Sequence, residues 1–304
     1  MYRSLEKNCS DFHLYIIAFD DLALSVLKKM NLKYATIISL KEFEDKELLQ
    51  AKETRDKVEY MWTCSSASIY YVLKKYKVPS CTYIDADLYF YSNPKILIDE
   101  IGKSSVLISE HRYTEKYDQT KISGKYCVQF MTFKNNKFGL KVLNWWRNAC
   151  LNWCYAKPED GKFGDQKYLD DWTTRFEGIH VLNNLGGGVA PWNMQQYKFV
   201  EDNHLIESSS NKEFNLVFFH FHSLKIFSNG KLDLCPYFLP KEFLSNIYLP
   251  YVRELLSVRK ELILVDKRVF SGKIVPKTSL KTLILNIRRA VFNEFNNYNI
   301  DYFR

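Results

Sequence analysis

The sequence predicts an α/β fold with a mainly parallel sheet flanked by helices and a helical C-terminal extension. Three observations point there. Apolar runs of strand length alternate with helical patterns through the first half of the chain. An aspartate pair stands at the end of one such run, where α/β sheets carry their ligands. Beyond about Pro236 the pattern turns helical.

The elements follow in order. Residues 12–19 (FHLYIIAF) read as a buried strand, followed by a helix over 21–30. A second strand, 34–40 (YATIISL), leads into a charged helix over 41–57. Residues 65–76 place Ile69, Leu73 and Tyr76 on one helical stripe that leads into the strand ending at Asp85. Further strands are expected at 104–109 (SSVLIS) and 126–133 (YCVQFMTF), then an aromatic-rich helix over 138–153. Residues 186–188 are three glycines, which permit a tight turn or close backbone approach to a ligand. The run 216–223 (LVFFHFHS) reads as a last strand. A division into 1–235 and a basic helical segment 236–304 is expected.

Composition narrows the function classes. With 304 residues, 46% hydrophobic, the chain can bury one large core. No apolar run approaches the ~20 residues of a membrane span, and the first residues lack the apolar stretch of a secretory signal. Seven cysteines without a CxxC pair point to a reducing compartment, with the cytoplasm as default. Cys150 and Cys154 share a helix face, as packed thiols rather than a metal site. A net charge of +8 without a basic stripe interleaved with aromatics argues against nucleic acid. The basic excess gathers beyond Tyr251, where Leu280, Leu283, Ile284, Ile287 and Val291 form an apolar stripe among Lys277, Lys281, Arg288 and Arg289. That pattern fits either peripheral contact with an anionic membrane face or a helix packed on the body with a solvated basic side.

Thr82–Phe90 (TYIDADLYF) carries the chemistry: in an extended strand Asp85 and Asp87 would face the same way. Like charges side by side are costly unless a cation joins them, and oxygen ligands suit Mg²⁺ or Mn²⁺. The bland alternative is a surface turn. His220 and His222 alternate onto one strand face with Lys225 just after, enough for one metal-binding imidazole and one phosphate-binding ammonium. Asp165 and Gln166 begin a helix, where the ordinary role of Asp165 is an N-terminal cap, which does not exclude a ligand role.

The order of these motifs resembles nucleotide-sugar-dependent glycosyltransferases of GT-A fold, most closely the family 8-like bacterial surface-polysaccharide enzymes. The resemblance rests on YIDADLYF, YCVQFMTFKN, GDQKYL, GGGVAPWN and HFHSLK, across roughly residues 10 to 230. It implies that Asp85 and Asp87 bind a divalent cation, usually Mn²⁺, and the donor diphosphate. His220 corresponds to the third metal ligand, with His222 as its rival, and Lys225 to the phosphate-binding lysine. Asp165 would touch the transferred sugar near its anomeric carbon, with Gln129 and Gln166 on the reacting face. Gly187 would lie at the donor, and Trp192 and Asn193 would shape the sugar or acceptor pocket. The implied reaction moves a hexose from a nucleoside-diphosphate sugar to a glycan or lipid-linked glycan, with retention of configuration.

The sequence departs from the pattern in three places. Ser223 stands where glycine is usual and Lys225 comes one position early. Cys127-Val128-Gln129 replaces the usual Asn-x-Gly. The start at Tyr2-Arg3-Ser4-Leu5 matches the end of the helix after the family's first strand, so that strand is expected to be missing. The competing classes are a non-catalytic sugar- or partner-binding relic of this fold and a metal-dependent nucleotidyltransferase, although no P-loop is found.

Overall fold

A computed structural model describes residues 1–270 and 280–303. The fold is α/β. After a short helix, Tyr2–Asn8, strand β1 (Leu14–Ala18) pairs in parallel with β2 (Ala35–Ser39) across the helix Asp21–Met30. Asp20 caps that helix through the Ala23 amide, and Asn31 ends it in the left-handed region at φ 46°. The long helix expected over 41–57 is broken instead into Leu40–Phe43 and Lys46–Lys52. Asp45 accepts from the Leu48 amide and restarts the chain as a cap, a local bond that competes with continuous helix. The next helix, Lys57–Tyr76, begins eight residues before its predicted start, at an Asp56–Glu59 capping box.

Strand β3 (Ser80–Ile84) leads through a turn to β4 (Leu88–Phe90), and β5 (Val106–Glu110) and β6 (Tyr126–Lys134) follow. With β7 (Ile179–Val181) they make a sheet of order β3-β6-β5-β7. β6 is its spine, buried from Tyr126 through Phe133. The helix Lys137–Asn152 packs across it, with Trp146 stacked on Phe133 at 6.1 Å between ring centres. Gly139 is required at the start of that helix, because a Cβ there would lie 2.2 Å from the Lys134 carbonyl.

A second sheet brings the site together. β8 (Gly187–Val189) and β12 (Phe218–His220) run parallel, and β12 also pairs antiparallel with β4, setting His220 opposite Leu88. Between them in sequence, β9 (Tyr197–Glu201), β10 (His204–Glu207) and β11 (Glu213–Asn215) form an antiparallel meander. The mainly parallel sheet expected from the sequence is therefore corrected to a mixed one. Parallel pairs occur at β1/β2, β5/β7 and β8/β12, whereas β6 opposes both of its neighbours. A buried apolar run reports burial on both faces but not direction, and the short return from β5 to β6 holds no long crossover helix.

The C-terminal segment is largely helical, at Leu249–Val265 and Leu280–Val291, but it ends otherwise. β13 (Lys225–Ile226) and β14 (Lys231–Asp233) form a hairpin, and β15 (Asn297–Asn299) pairs with β14. The turn Ile300–Phe303 then buries Phe303 in one core with Val189, Phe219, Phe221 and Tyr248. Residues from both sides of position 235 thus share that core. Of the predicted apolar-basic stripe, Lys277 and the side chains of Leu280 and Lys281 lie outside the described residues.

Candidate metal and sugar-phosphate site

Asp85 and Asp87 do not lie in a strand, as strand alternation had suggested. β3 ends at Ile84, and the pair occupies the turn before β4, closed by the Leu88 amide on the Asp85 carbonyl at 3.3 Å. Two further backbone bonds hold the turn: the Asp85 amide on the Gln129 carbonyl, and the Phe221 amide on the Asp87 carbonyl, both at 3.0 Å. The sheets thus clamp both carboxylates against the end of β12. His220 Nε2 lies 3.1 Å from Asp87 Oδ1 and 3.7 Å from Asp85 Oδ2, and one ligand atom from each residue fits within 4.8 Å of the others.

The imidazole is oriented from behind. His220 Nδ1 lies 2.7 Å from Gln129 Oε1; with the proton on Nδ1 donated to that oxygen, the Nε2 lone pair faces the two acids. On the other side the Tyr83 hydroxyl donates to Asp85 Oδ1 at 3.0 Å and receives a 3.5 Å bond from Ser65. Two carboxylates and an imidazole, with Asp85 held by Tyr83 and His220 by Gln129, suit Mn²⁺ or Mg²⁺ by donor type and by spacing. His222 is not part of this cluster. It lies beyond the end of β12, its ring 5.8 Å from that of His220, and the chain turns at Ser223 with φ +67°. The left-handed turn at Ser223 falls where the resemblance expects glycine.

Electrostatics follow from this crowding. Desolvation, then the Asp87 charge, pushes the Asp85 carboxyl above its ordinary value, partly offset by His220. Desolvation also pushes Asp87 upward, but the charge and hydrogen bond of His220 outweigh it and hold Asp87 below the usual carboxylate range. Burial disfavours the His220 cation, yet the two acids raise its pKa well above the ordinary imidazole value. A proton thus supplies part of the positive charge that the carboxylates require. Asp165 is raised to about 7, first by burial and further by Asp85, against a lowering hydrogen bond from Ser65. It is 5% exposed and caps no helix, and its carbonyl accepts from Trp146 Nε1 at 2.8 Å. His222 is lowered to about 4 by desolvation in the cleft and then by the neighbouring His220 charge, although part of its ring meets solvent.

The other predicted residues divide. Gln129 is fully buried, and its Nε2 has no hydrogen-bond partner. Trp192 is edge-on to His220 at 5.3 Å and 5.4 Å from His222, closing the floor of the site. Gln166 precedes a short 3₁₀ turn and makes no side-chain cap, and no described contact joins it to the aspartates. A Cβ on Gly187 would meet Leu182 and Leu97 at 2.7 and 2.8 Å, so its missing side chain serves the core. The glycine toward the site is Gly188, at φ +116° with its Cβ position 3.3 Å from Gln129 Nε2. Asn193 is committed to backbone: Oδ1 accepts from Ala190, and Nδ2 donates to the His111 and Gly188 carbonyls. Lys225 is exposed in β13, beyond the cluster.

Sequence reasoning missed Tyr83, Ser65 and His111, and from the glycine run it singled out Gly187 rather than Gly188. His111 is buried, stacked on Tyr113 at 4.5 Å and edge-on to Trp192. It stands one residue past the end of β5, where the carboxyl-end rule for α/β sheets could have found it. It also faces Cys127: desolvation raises that buried thiol, but His111 and His220 outweigh it and lower it to about 7.

No family model matches the chain. Over 264 residues it is 30% identical to YfnD of Bacillus subtilis strain 168, an uncharacterized protein, spanning 84% of this chain and 83% of that one. The chain belongs to the family of YfnD. A second uncharacterized B. subtilis protein, YfnF, is 31% identical over 241 residues, spanning 76% and 78% of the two chains. Solved structures are similar only loosely. Mouse xyloside xylosyltransferase 1 in its apo form aligns at TM-score 0.42 and 14% identity, over 73% of this chain and 89% of that one. The glycosyltransferase GlyE of Streptococcus pneumoniae TIGR4 aligns at 0.38 and 12%, over 60% of this chain and 42% of GlyE. A glycosyltransferase involved in glycosylation of the major capsid of PBCV-1 aligns at 0.38 and 9%, over 69% and 94%. Likenesses this loose carry no functional argument.

Proposed function

We propose that this chain is a divalent-metal glycosyltransferase of GT-A type. In this reading it moves a hexose from a nucleoside-diphosphate sugar, expected to be UDP-linked, onto a glycan or lipid-linked glycan during surface-polysaccharide synthesis. One observation carries the reading: two turn aspartates and the oriented imidazole of His220 converge within 4.8 Å at the carboxyl end of β3. Asp85, Asp87 and His220 would hold Mn²⁺ or Mg²⁺, which supplies positive charge beside a leaving diphosphate.

The chain's own groups then have distinct work. Gln129 holds the His220 Nδ1 proton with its oxygen; its unpartnered Nε2 is buried behind Gly188 and would donate to a sugar hydroxyl only where Gly188 gives way to the bound donor. Asp165, with its pKa near 7, keeps a carboxyl poised between protonated and ionised states at the reacting face. Trp192 and the His111–Tyr113 stack exclude water from one wall. Retention of configuration is the outcome that the resemblance implies.

Asp85→Ala and Asp87→Ala should each abolish Mn²⁺-dependent hydrolysis of the matching nucleotide sugar, and calorimetry should show UDP and Mn²⁺ binding cooperatively to the native chain. Unchanged turnover in both variants would remove the metal from the reaction.

The reading extends to location, at the cytoplasmic face of a membrane held by peripheral contact. No helix among the described residues is long and apolar enough to cross a membrane. On the helix Leu280–Val291, however, Leu283, Ile284, Ile287 and Val291 are all at least half exposed, with Arg288 beside them. Such a stripe suits the headgroup boundary of an anionic bilayer. Co-sedimentation with anionic liposomes should fall when residues 280–291 carry Ser in place of these four apolar residues; undiminished binding rejects the contact.

A further inference from the structure

The candidate metal centre is assembled across a seam between two sheets. β3 and β6 of the four-stranded sheet supply the start of the aspartate turn and Gln129, whereas β12 of the sheet β4-β12-β8 supplies His220. The geometry of the three ligands therefore depends on what holds the sheets together. A dense set of side-chain ties crosses the seam just past the end of β5, at His111 and Arg112.

The Arg112 guanidinium reaches the connection from β7 to β8. Nη2 donates to the Leu182 carbonyl at 2.7 Å, and Nη1 to the Asn184 and Gly187 carbonyls, both at 3.2 Å. Its own carbonyl accepts from Gln196 Nε2 at 2.9 Å. Asn193 closes the other side: its Nδ2 donates to the His111 carbonyl at 2.8 Å and to the Gly188 carbonyl at 2.9 Å. The segment held in this way is β8. Its Gly187 pairs with Phe218, two residues before His220, and its Gly188 lies against Gln129 Nε2. Gln129 in turn meets His220 Nδ1 through Oε1 at 2.7 Å.

Two features set Arg112 apart from an ordinary packed cation. It adopts φ +50°, a left-handed conformation that persists in a residue with a side chain only where surrounding bonds over-determine it. Among the described residues it also has no carboxylate partner, so its Nη groups serve three backbone carbonyls instead. A planar fork of donors can bridge carbonyls in this manner, whereas the point charge of a lysine cannot.

We propose that Arg112 is a positioning residue of the candidate metal centre. It staples β8 to the end of β5, and through Gly188 and Gln129 it sets the His220 imidazole on the two aspartates. The consequence for Mn²⁺ rests on the glycosyltransferase reading; the orientation of the ring does not.

The test compares the full native chain with Arg112→Gly and Arg112→Lys, well below their melting temperatures. Glycine accepts φ +50° without strain, so this variant separates loss of the staple from a backbone that no longer folds. Nitrogen-15 NMR of the histidine rings in metal-free buffer reads the His220 Nδ1–H held by Gln129. That resonance should be present in the native protein and lost to exchange with water in Arg112→Gly. Calorimetry should show Mn²⁺ affinity lowered about tenfold in Arg112→Gly, with only part regained in Arg112→Lys. Millimolar guanidinium chloride should restore part of the loss in Arg112→Gly, which a general packing defect would not allow. An intact Nδ1–H in Arg112→Gly overturns the role, whatever happens to Mn²⁺ affinity or melting temperature, because the route through Gln129 is then absent. If the native chain binds no Mn²⁺, the metal reading fails, while loss or persistence of the Nδ1–H still decides for or against the staple.

Discussion

The tie between Arg289 and Asp233 offers the sharpest structural prediction. Arg289 makes four hydrogen bonds: a two-pronged one to the Asp233 carboxylate, and one each to the carbonyls of Cys235 and Glu294. Both side chains are nearly enclosed, at 8% and 14% exposure. Arg289→Met leaves the Asp233 charge in a poorly solvated place without a partner and takes one donor from each of two carbonyls, which keep only Asn296 Nδ2 among the described residues. Breaking such a pair from one side typically costs about 3–5 kcal/mol. For a chain of this length that lowers the melting temperature by roughly 6–20 °C, at about 2–4 °C per kcal/mol. Urea unfolding of the native protein, Arg289→Met, Asp233→Leu and the double variant would measure it. The double variant should recover most of the loss, because no buried charge is then stranded. A cost below about 1 kcal/mol for Arg289→Met would refute the tie.

Two predictions concern the metal centre and its neighbour. Tyr83→Phe removes the hydroxyl that steadies Asp85 and should weaken Mn²⁺ affinity about tenfold in calorimetry with little loss of fold; native affinity would show that the hydroxyl does no orienting. Asp165, raised to about 7, holds its proton in the folded state between pH 4 and 7, where the unfolded chain has lost it. Folded protein binds more protons in that window, so stability falls as pH rises through it and stays low above 7. The difference between Asp165→Asn and the native protein should grow by ~4 kcal/mol from pH 4 to pH 8, at about 1.4 kcal/mol for each pKa unit; a constant difference would reject the shift.

Much of this was legible in the chain. The apolar runs matched β1, β2, β3, β5, β6 and β12 to within two or three residues, because burial on both faces leaves a local signature; the other nine described strands, most of two to four residues, are too short to leave one. Asp45 and Asp56 illustrate what local reading under-weighted: caps that restart helices inside charged stretches. The aspartate pair stood out as chemistry. Its geometry did not, since a turn at the end of β3, and not strand alternation, sets both carboxylates toward His220.

The sequence alone determined which side chains were worth bringing together: two acids, a histidine, a glutamine and a basic C-terminal segment, each marked by residue type within a few positions. Only the tertiary structure decided that His220 and not His222 meets the acids, that Gly188 and not Gly187 faces Gln129, and that Arg289 closes on Asp233. Those choices depend on contacts between residues far apart in the chain, as when Leu88 of β4 pairs with His220 of β12. Local propensity carries no record of such pairings, because the contacts that select them form only when the sheets assemble.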